Sequence, residues 1–373
     1  MSWIRKAFVN SSIVTFSVAF AISLFILLDF IVYKFSESGV ETCLIPKDSG
    51  FYQLKPNCDG TERFYDNIYS VATDSNGFRV KDNKTGDPKS AEAIFLGDSF
   101  TFGINGDWDD TFVGMFANNS NKEIINAGVG SYSPTVYAFQ YEKALSAGIL
   151  KVPHNVIIAL DISDVQDEAG FWEVGTLHPV KMQYSLDLKR SQDQGTGKVI
   201  AEIKKSLPYT RKVYKFILSF FSEYDVDASI ANLPRSAFTH TDWTLLEKTM
   251  AAPEQNGFLP LGVRTGLNKI KAQIEHINNI AKDNDGRVAI LIYPWPGQMV
   301  HGQGIFSWNA FARNLCESIK CVGVIDTFDA FNHEVNNGTS LNKIYQRGDV
   351  HFTKYGNSIV YNELSSSYSE FFE

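Results

Sequence analysis

The stretch Ile94-Phe95-Leu96-Gly97-Asp98-Ser99-Phe100-Thr101-Phe102-Gly103 constrains the fold more than any other part of the chain. A short apolar run of strand formers that stops at a glycine reads as a buried strand ending in a tight turn. Ser99 then stands just past the strand's carboxyl end, the edge where ligands bind in an open α/β sheet. A helix opening there would aim its free N–H groups at any anion formed nearby. A serine hydroxyl is a weak nucleophile until a base takes its proton and donors hold the oxyanion, so a working site needs both from elsewhere. Alone, Gly-Asp-Ser is equally an ordinary strand-to-helix turn.

An alternation of strands and helices surrounds that turn. Residues 93–96 precede a helical stretch at 110–118, a second short strand at 123–126 and a helix at 134–147, with a proline near its start and Gly148 beyond its end. Residues 155–160 are a third strand, buried on both faces. Leu267, Ile270, Ile274, Ile277 and Ile280 recur at helical spacing before Asp285-Gly286 and a fourth strand at 288–293, closed by Pro294-Trp295-Pro296-Gly297 as a rigid loop. A helix at 306–319, a fifth strand at 322–325 and a closing helix at 355–371 complete the pattern. It argues for a parallel sheet with helices on both faces.

The pattern breaks twice. Residues 35–90 form a loop-rich lead-in whose Asn76-Gly77 marks a turn and whose Phe78 plugs the domain surface. Arg79 beside them is a candidate contact for an anionic substrate or a structural residue. Residues 170–262 form an insertion with a polar run at 191–198 and a long helical candidate at 198–221, interrupted by Pro208. It packs one face on the core or serves as a membrane-facing or substrate lid. The catalytic domain is then 91–373.

Residues 7–28 carry no charge and are dense in Phe, Ile, Leu, Val and Ala, about 22 residues and enough to cross a bilayer as a helix. Arg5 and Lys6 precede them, which leaves the N-terminus cytoplasmic and everything after residue 34 periplasmic or extracellular. A cleaved secretory signal is the competing reading and also exports the rest of the chain. The formal charge of -8 argues against nucleic acid as a partner. Four cysteines fall into two local sets, Cys43 with Cys58 and Cys316 with Cys321. Local disulfides suit an oxidising compartment, and free buried thiols are the alternative.

Three stretches after predicted strands offer what Ser99 lacks. Asn126-Ala127-Gly128-Val129-Gly130-Ser131-Tyr132-Ser133-Pro134 is a small-residue loop whose backbone N–H groups can hold an oxyanion. Asp161-Ile162-Ser163-Asp164-Val165-Gln166-Asp167-Glu168 reads as a site wall with Ser163 as a donor, or as helix capping. A divalent cation among these carboxylates is conceivable. With no phosphate motif beside it and no zinc-type spacing anywhere, the reading carries no metal and no cofactor. Arg347-Gly348-Asp349-Val350-His351 supplies a base and a carboxylate able to accept its other ring proton.

Together these blocks resemble the SGNH or GDSL-type hydrolases. Gly97-Asp98-Ser99-Phe100 is similar to that family's first block, which implies Ser99 as nucleophile with its own N–H in the oxyanion hole. The second block implies a backbone donor at Gly130 or Ser131. Where the third has Gly-x-Asn-Asp, this chain has Asp161-Ile162-Ser163-Asp164, so a shorter hydroxyl stands for an amide. Loss of one oxyanion donor typically costs about a hundredfold to a thousandfold in rate. Asp349-Val350-His351 replaces the common Asp-x-x-His, a spacing similar to that of membrane-anchored polysaccharide O-acetyltransferases, which also favour Asn-Gly-Phe-Arg ahead of the serine. The resemblance implies a flavodoxin-like three-layer α/β sandwich with a mostly parallel five-stranded sheet. It further implies a Ser99-His351-Asp349 site acting on an acylated saccharide or another ester. Asp164, Trp172 and Arg79 are the candidate substrate contacts, and an integral-membrane acyltransferase is a candidate partner.

Overall fold

The lead-in holds strands where its polar sequence suggests loops. In the computed structural model, which describes residues 42–46, 51–64, 67–82, 90–183, 258–303, 306–346 and 349–373, β1 (Leu44–Pro46) and β2 (Tyr52–Leu54) pair as an antiparallel ribbon. The helical residues described between 16 and 31 belong to a separate unit. β3 (Asp59–Phe64), β4 (Asn67–Thr73) and β5 (Arg79–Val80) run antiparallel to one another. β3 has no fully buried residue, so it lacks the apolar run by which a strand is read. A disulfide joins Cys43 to Cys58, with Cα atoms 5.8 Å apart, and a second joins Cys316 to Cys321. The Asn76-Gly77 turn is fixed by Asp74 Oδ1, which accepts from the N–H groups of Asn76 and Phe78. Gly77 has φ +76°, and a Cβ there would stand 2.6 Å from the Leu54 carbonyl oxygen. Phe78 is buried, as a plug should be.

The apolar runs form the expected parallel strands: β6 (Ala91–Leu96), β7 (Ile124–Asn126), β8 (Leu150–Leu160) and, after a small hairpin of β9 (Trp172–Glu173) and β10 (Val180–Lys181), β11 (Gly286–Ile292) and β12 (Gly323–Asp326). Residues 93–96 of β6 and 156–160 of β8 are buried throughout, as strands covered on both faces must be. The sheet order is β12-β11-β8-β6-β7-β5-β4-β3. The expected five strands are therefore corrected to eight among the described residues. The antiparallel trio joins the open edge of β7 through the pairing of Arg79 with Asn126. Taken alone, the parallel strands follow the flavodoxin-like order, which puts the topological switch between β6 and β8.

The helices are α1 (Ser99–Phe102), α2 (Phe112–Ser120), α3 (Pro134–Ser146), α4 (Ser163–Gly170), α5 (Val263–Asp283), α6 (Pro296–His301), α7 (Trp308–Ile319), α8 (Phe328–Asn336), α9 (Leu341–Ile344) and α10 (Lys354–Phe372). α5 packs on α3, α4 and α7, while α2 packs on α10. Two readings change here. Pro296 opens a helix with Pro at its first turn rather than continuing a rigid loop, and the polar wall after β8 is itself a helix. The helical candidate at 198–221 and the polar run at 191–198 lie outside the described residues. So does much of the 7–28 stretch, and no helix of the described residues is long and apolar enough to cross a membrane.

Candidate active site

β6 ends at Leu96, and Gly97 permits the sharp turn into α1, since a Cβ there would stand 2.0 Å from Thr101 Oγ1. Asp98 caps α1 by accepting from the Phe100 N–H at 2.9 Å, which leaves Ser99 at the helix's first position. The opposing segment is held between α9 and α10. Tyr345 bridges Phe352, the Gln346 N–H donates to the His351 carbonyl, and Thr353 caps α10 through the Gly356 N–H. These contacts bring two groups 252 residues apart into hydrogen-bond range: His351 Nε2 lies 2.7 Å from Ser99 Oγ. His351 Nδ1 lies 2.8 Å from Asp349 Oδ2, so the short Asp-Val-His spacing still reaches the ring. The imidazole is buried against Phe100, with ring centroids 4.7 Å apart, and meets Phe64 of β3 edge-on at 5.4 Å.

The loop after β7 lies beside the serine. A Cβ on Gly130 would stand 3.8 Å from Ser99 Cβ and 3.6 Å from Ile104 Cδ1, ordinary contact distances that put the loop's backbone directly against the serine. Among the described residues, neither the Ser99 nor the Gly130 N–H has an internal acceptor. Ser131, the alternative donor, has φ +56° and gives its carbonyl to Trp172 Nε1 at 2.7 Å. Ser163 is committed elsewhere: its hydroxyl donates to Asp161 Oδ1 at 2.6 Å, and its N–H to the same oxygen at 2.7 Å.

The three candidate substrate contacts face inward. Asp164 is buried, accepting from Tyr137 Oη at 2.8 Å and from the Asp161 N–H at 2.9 Å. Trp172 is fully buried and serves the 130–131 turn. The Arg79 guanidinium is buried and donates to the carbonyls of Phe102, Gly103 (3.0 Å), Ser70 (3.1 Å) and Gly106 (2.7 Å). Burial pulls its pKa down to about 10, which leaves it charged at neutral pH. It clamps the loop whose Asn105 Nδ2 reaches Asp349 Oδ2 at 3.4 Å.

Asp161 opens the polar stretch that follows β8. It is buried, and Trp295 Nε1 donates to its Oδ2 at 2.8 Å. Burial, reinforced by mutual repulsion, pushes the carboxyls of Asp98, Asp164 and Asp167 well above the usual carboxylate range, and burial pushes that of Asp161 up as well. Glu168 is buried as an acceptor for Ser133 Oγ (2.7 Å), the Thr135 N–H (2.6 Å), Thr135 Oγ1 (2.7 Å) and Lys269 Nζ (2.9 Å), which fixes the start of α3. Among the described residues no group of three or more His, Cys, Asp or Glu is arranged to hold a metal. Asn105, Trp295 and Tyr52, whose hydroxyl donates to the Gly130 carbonyl, left no signal in the sequence, because each acts on a carboxylate or carbonyl distant in the chain.

No protein-family model and no curated protein matches the chain. Solved structures similar to it include a member of the lipolytic protein G-D-S-L family from Veillonella parvula DSM 2008, at 12% identity over 74% of this chain and 97% of that one, with a TM-score of 0.37. A catalytic mutant of an acetylxylan esterase from Geobacillus stearothermophilus is 13% identical over 76% and 95% of the two chains, with a TM-score of 0.38. An alpha/beta hydrolase enzyme from the metagenome of Lake Arreo, Spain, is 9% identical over 76% and 97%, with a TM-score of 0.39. The site's own geometry carries the functional reading.

Proposed function

We propose that this chain is an SGNH-like serine enzyme that transfers an acyl group from an ester, with Ser99, His351 and Asp349 as its catalytic residues. The support is the pair of hydrogen bonds from Ser99 Oγ to His351 Nε2 at 2.7 Å and from His351 Nδ1 to Asp349 Oδ2 at 2.8 Å. Ser99 Oγ attacks the acyl carbonyl while its proton passes to His351 Nε2. The tetrahedral oxyanion is held by the N–H groups of Ser99 and of Gly130 or Ser131. Collapse returns the proton from Nε2 to the departing alkoxide and leaves an acyl-serine. Asp349 accepts the Nδ1–H throughout and fixes the tautomer. Water as the second nucleophile makes an esterase, and a sugar hydroxyl makes an O-acyltransferase.

The preferred substrate is an acylated cell-surface polysaccharide, with lipid esters second. That preference rests on the motif resemblance and on export, for which the uncharged 7–28 stretch and two local disulfides speak. In this reading residues 7–28 anchor the chain with its catalytic domain periplasmic or extracellular, where an integral-membrane acyltransferase could supply acyl groups. A second reading, a saccharide-binding scaffold that keeps the fold without turnover, is favoured by one observation: the Ser163 hydroxyl is spent on Asp161.

Release of p-nitrophenol from its acetate separates the two. The wild type should turn over, Ser99→Ala should lose activity by a factor of about a thousand or more, and a fluorophosphonate probe should label only the wild type. A folded protein that neither labels nor turns over sinks the enzyme reading.

A further inference from the structure

The turn that faces Ser99 is held in part from outside its own sequence. Ser131 sits at φ +56°, a region that residues with a side chain seldom occupy. Two consecutive carbonyls at this strained residue are tied from outside: Tyr52 Oη of β2 donates to the Gly130 carbonyl, and Trp172 Nε1 of β9 donates to the Ser131 carbonyl at 2.7 Å.

Planar trans peptides turn each such anchor into an orientation, because the C=O and N–H of one peptide point in opposite directions. With its carbonyl drawn to Tyr52, the 130–131 peptide presents the Ser131 N–H on the opposite side. With the Ser131 carbonyl drawn to Trp172, the next peptide presents the Tyr132 N–H, which donates to the Val129 carbonyl at 3.1 Å. That bond pins the 129–130 peptide and turns the Gly130 N–H the other way. Both candidate oxyanion donors are thus set by side chains from outside the catalytic loop.

The anchors are themselves rigid. Tyr132 Oη donates to the Tyr52 carbonyl at 2.6 Å, the Tyr52 and Trp172 ring centroids lie 5.8 Å apart, and Lys181 Nζ stands 5.4 Å and 5.6 Å over them. Burial pushes the Tyr52 hydroxyl well above its ordinary pKa, so it stays a donor at any working pH.

We propose that Tyr52 and Trp172 are positioning residues that aim the N–H groups of the Gly130–Ser131 turn at the oxyanion formed on Ser99. The proposal rests on the acyl-transfer reading above. It makes the lead-in and the hairpin opening the insertion parts of the catalytic machinery rather than appendages.

The test uses Tyr52→Phe and Trp172→Phe in the full chain, both of which keep a ring and lose the donor. With p-nitrophenyl acetate, kcat should fall about tenfold to a hundredfold, the scale of misplaced oxyanion donors. KM should stay within about twofold and labelling by the fluorophosphonate should slow in parallel. A merely structural role would lower the melting temperature without this split. Wild-type turnover with kcat of both variants unchanged overturns the proposal. Amide hydrogen exchange at Tyr132, whose N–H closes the turn on the Val129 carbonyl, reads the anchors without turnover: faster exchange in both variants supports them, and unchanged exchange overturns them. Should the wild type prove inert, the acyl-transfer reading falls on the labelling result while exchange still decides the anchors.

Discussion

The parallel and antiparallel halves of the sheet divide the labour of the site. β6 and β8 lead into Ser99 and Asp161, next to the topological switch where an open α/β sheet offers a crevice. The antiparallel trio and the β1–β2 ribbon supply none of the proposed reacting atoms, yet they touch the His351 ring, the Gly130 turn and the loop beside Asp349. Phe64 packs on His351, Tyr52 holds Gly130, and Arg79 clamps the loop from which Asn105 reaches Asp349. A parallel sheet places chemistry at its carboxyl edge. Here the backbone that must stay still around that chemistry is braced by a separate layer of strands.

The largest effect should come from the reacting half. Asp349→Asn keeps the shape but offers a donor where the His351 Nδ1–H needs an acceptor, so the ring favours the wrong tautomer. In the proposed mechanism kcat should fall about ten-thousandfold with the fold intact. Steady-state assays with p-nitrophenyl acetate measure it, and a loss below tenfold would remove Asp349 from the mechanism. Arg79→Met breaks the bracing half instead. It strips a buried cation from the carbonyls of Phe102, Gly103, Ser70 and Gly106, and should cost about 3–5 kcal/mol of stability in urea unfolding. A cost below about 1 kcal/mol would mean that the antiparallel trio is a passenger rather than a brace.

The same division decided what could be read from the chain. A strand buried on both faces must be apolar along its length, so β6, β8 and β11 announce themselves locally, and the residues just past their ends become candidates by position. The pairing of Ser99 with His351 is legible because a serine, a histidine and a nearby aspartate are distinctive residue types. The braces are not, because a side chain that binds a backbone carbonyl has a partner that every residue carries. Trp172 and Asp164 read as substrate contacts because they are aromatic or polar groups near the blocks, while Arg79 reads equally as a substrate contact or as a structural residue, and the structure makes it the latter. Burial shows that each spends its polar atoms inside. β3 leaves no local signal because its sequence, Asp-Gly-Thr-Glu-Arg-Phe, has no buried face to leave a period-two pattern.

The smallest effect separates the halves by charge. Asp167, on α4 of the parallel half, is buried and has no hydrogen-bond donor to its carboxylate among the described residues. Burial first, then the charges of Asp161 and Glu168, raise its pKa well above the unfolded value, with Lys181 opposing. Below the unfolded pKa of about 3.9 both states hold the proton and the shift contributes nothing. As pH climbs, the unfolded chain ionises first, so folding loses stability until the raised folded pKa has been passed. Asp167→Asn removes that loss. Its melting temperature should match the wild type near pH 4 and exceed it by about 2–4 °C at pH 8, the shift that about 1 kcal/mol gives a domain of 150–250 residues. A difference that stays constant across this range would mean that folding leaves the Asp167 pKa unshifted, and one that shrinks as pH rises would mean that the ionised carboxylate is stabilised in the folded protein. The acidic cluster behind Ser99 would then support the fold rather than strain it.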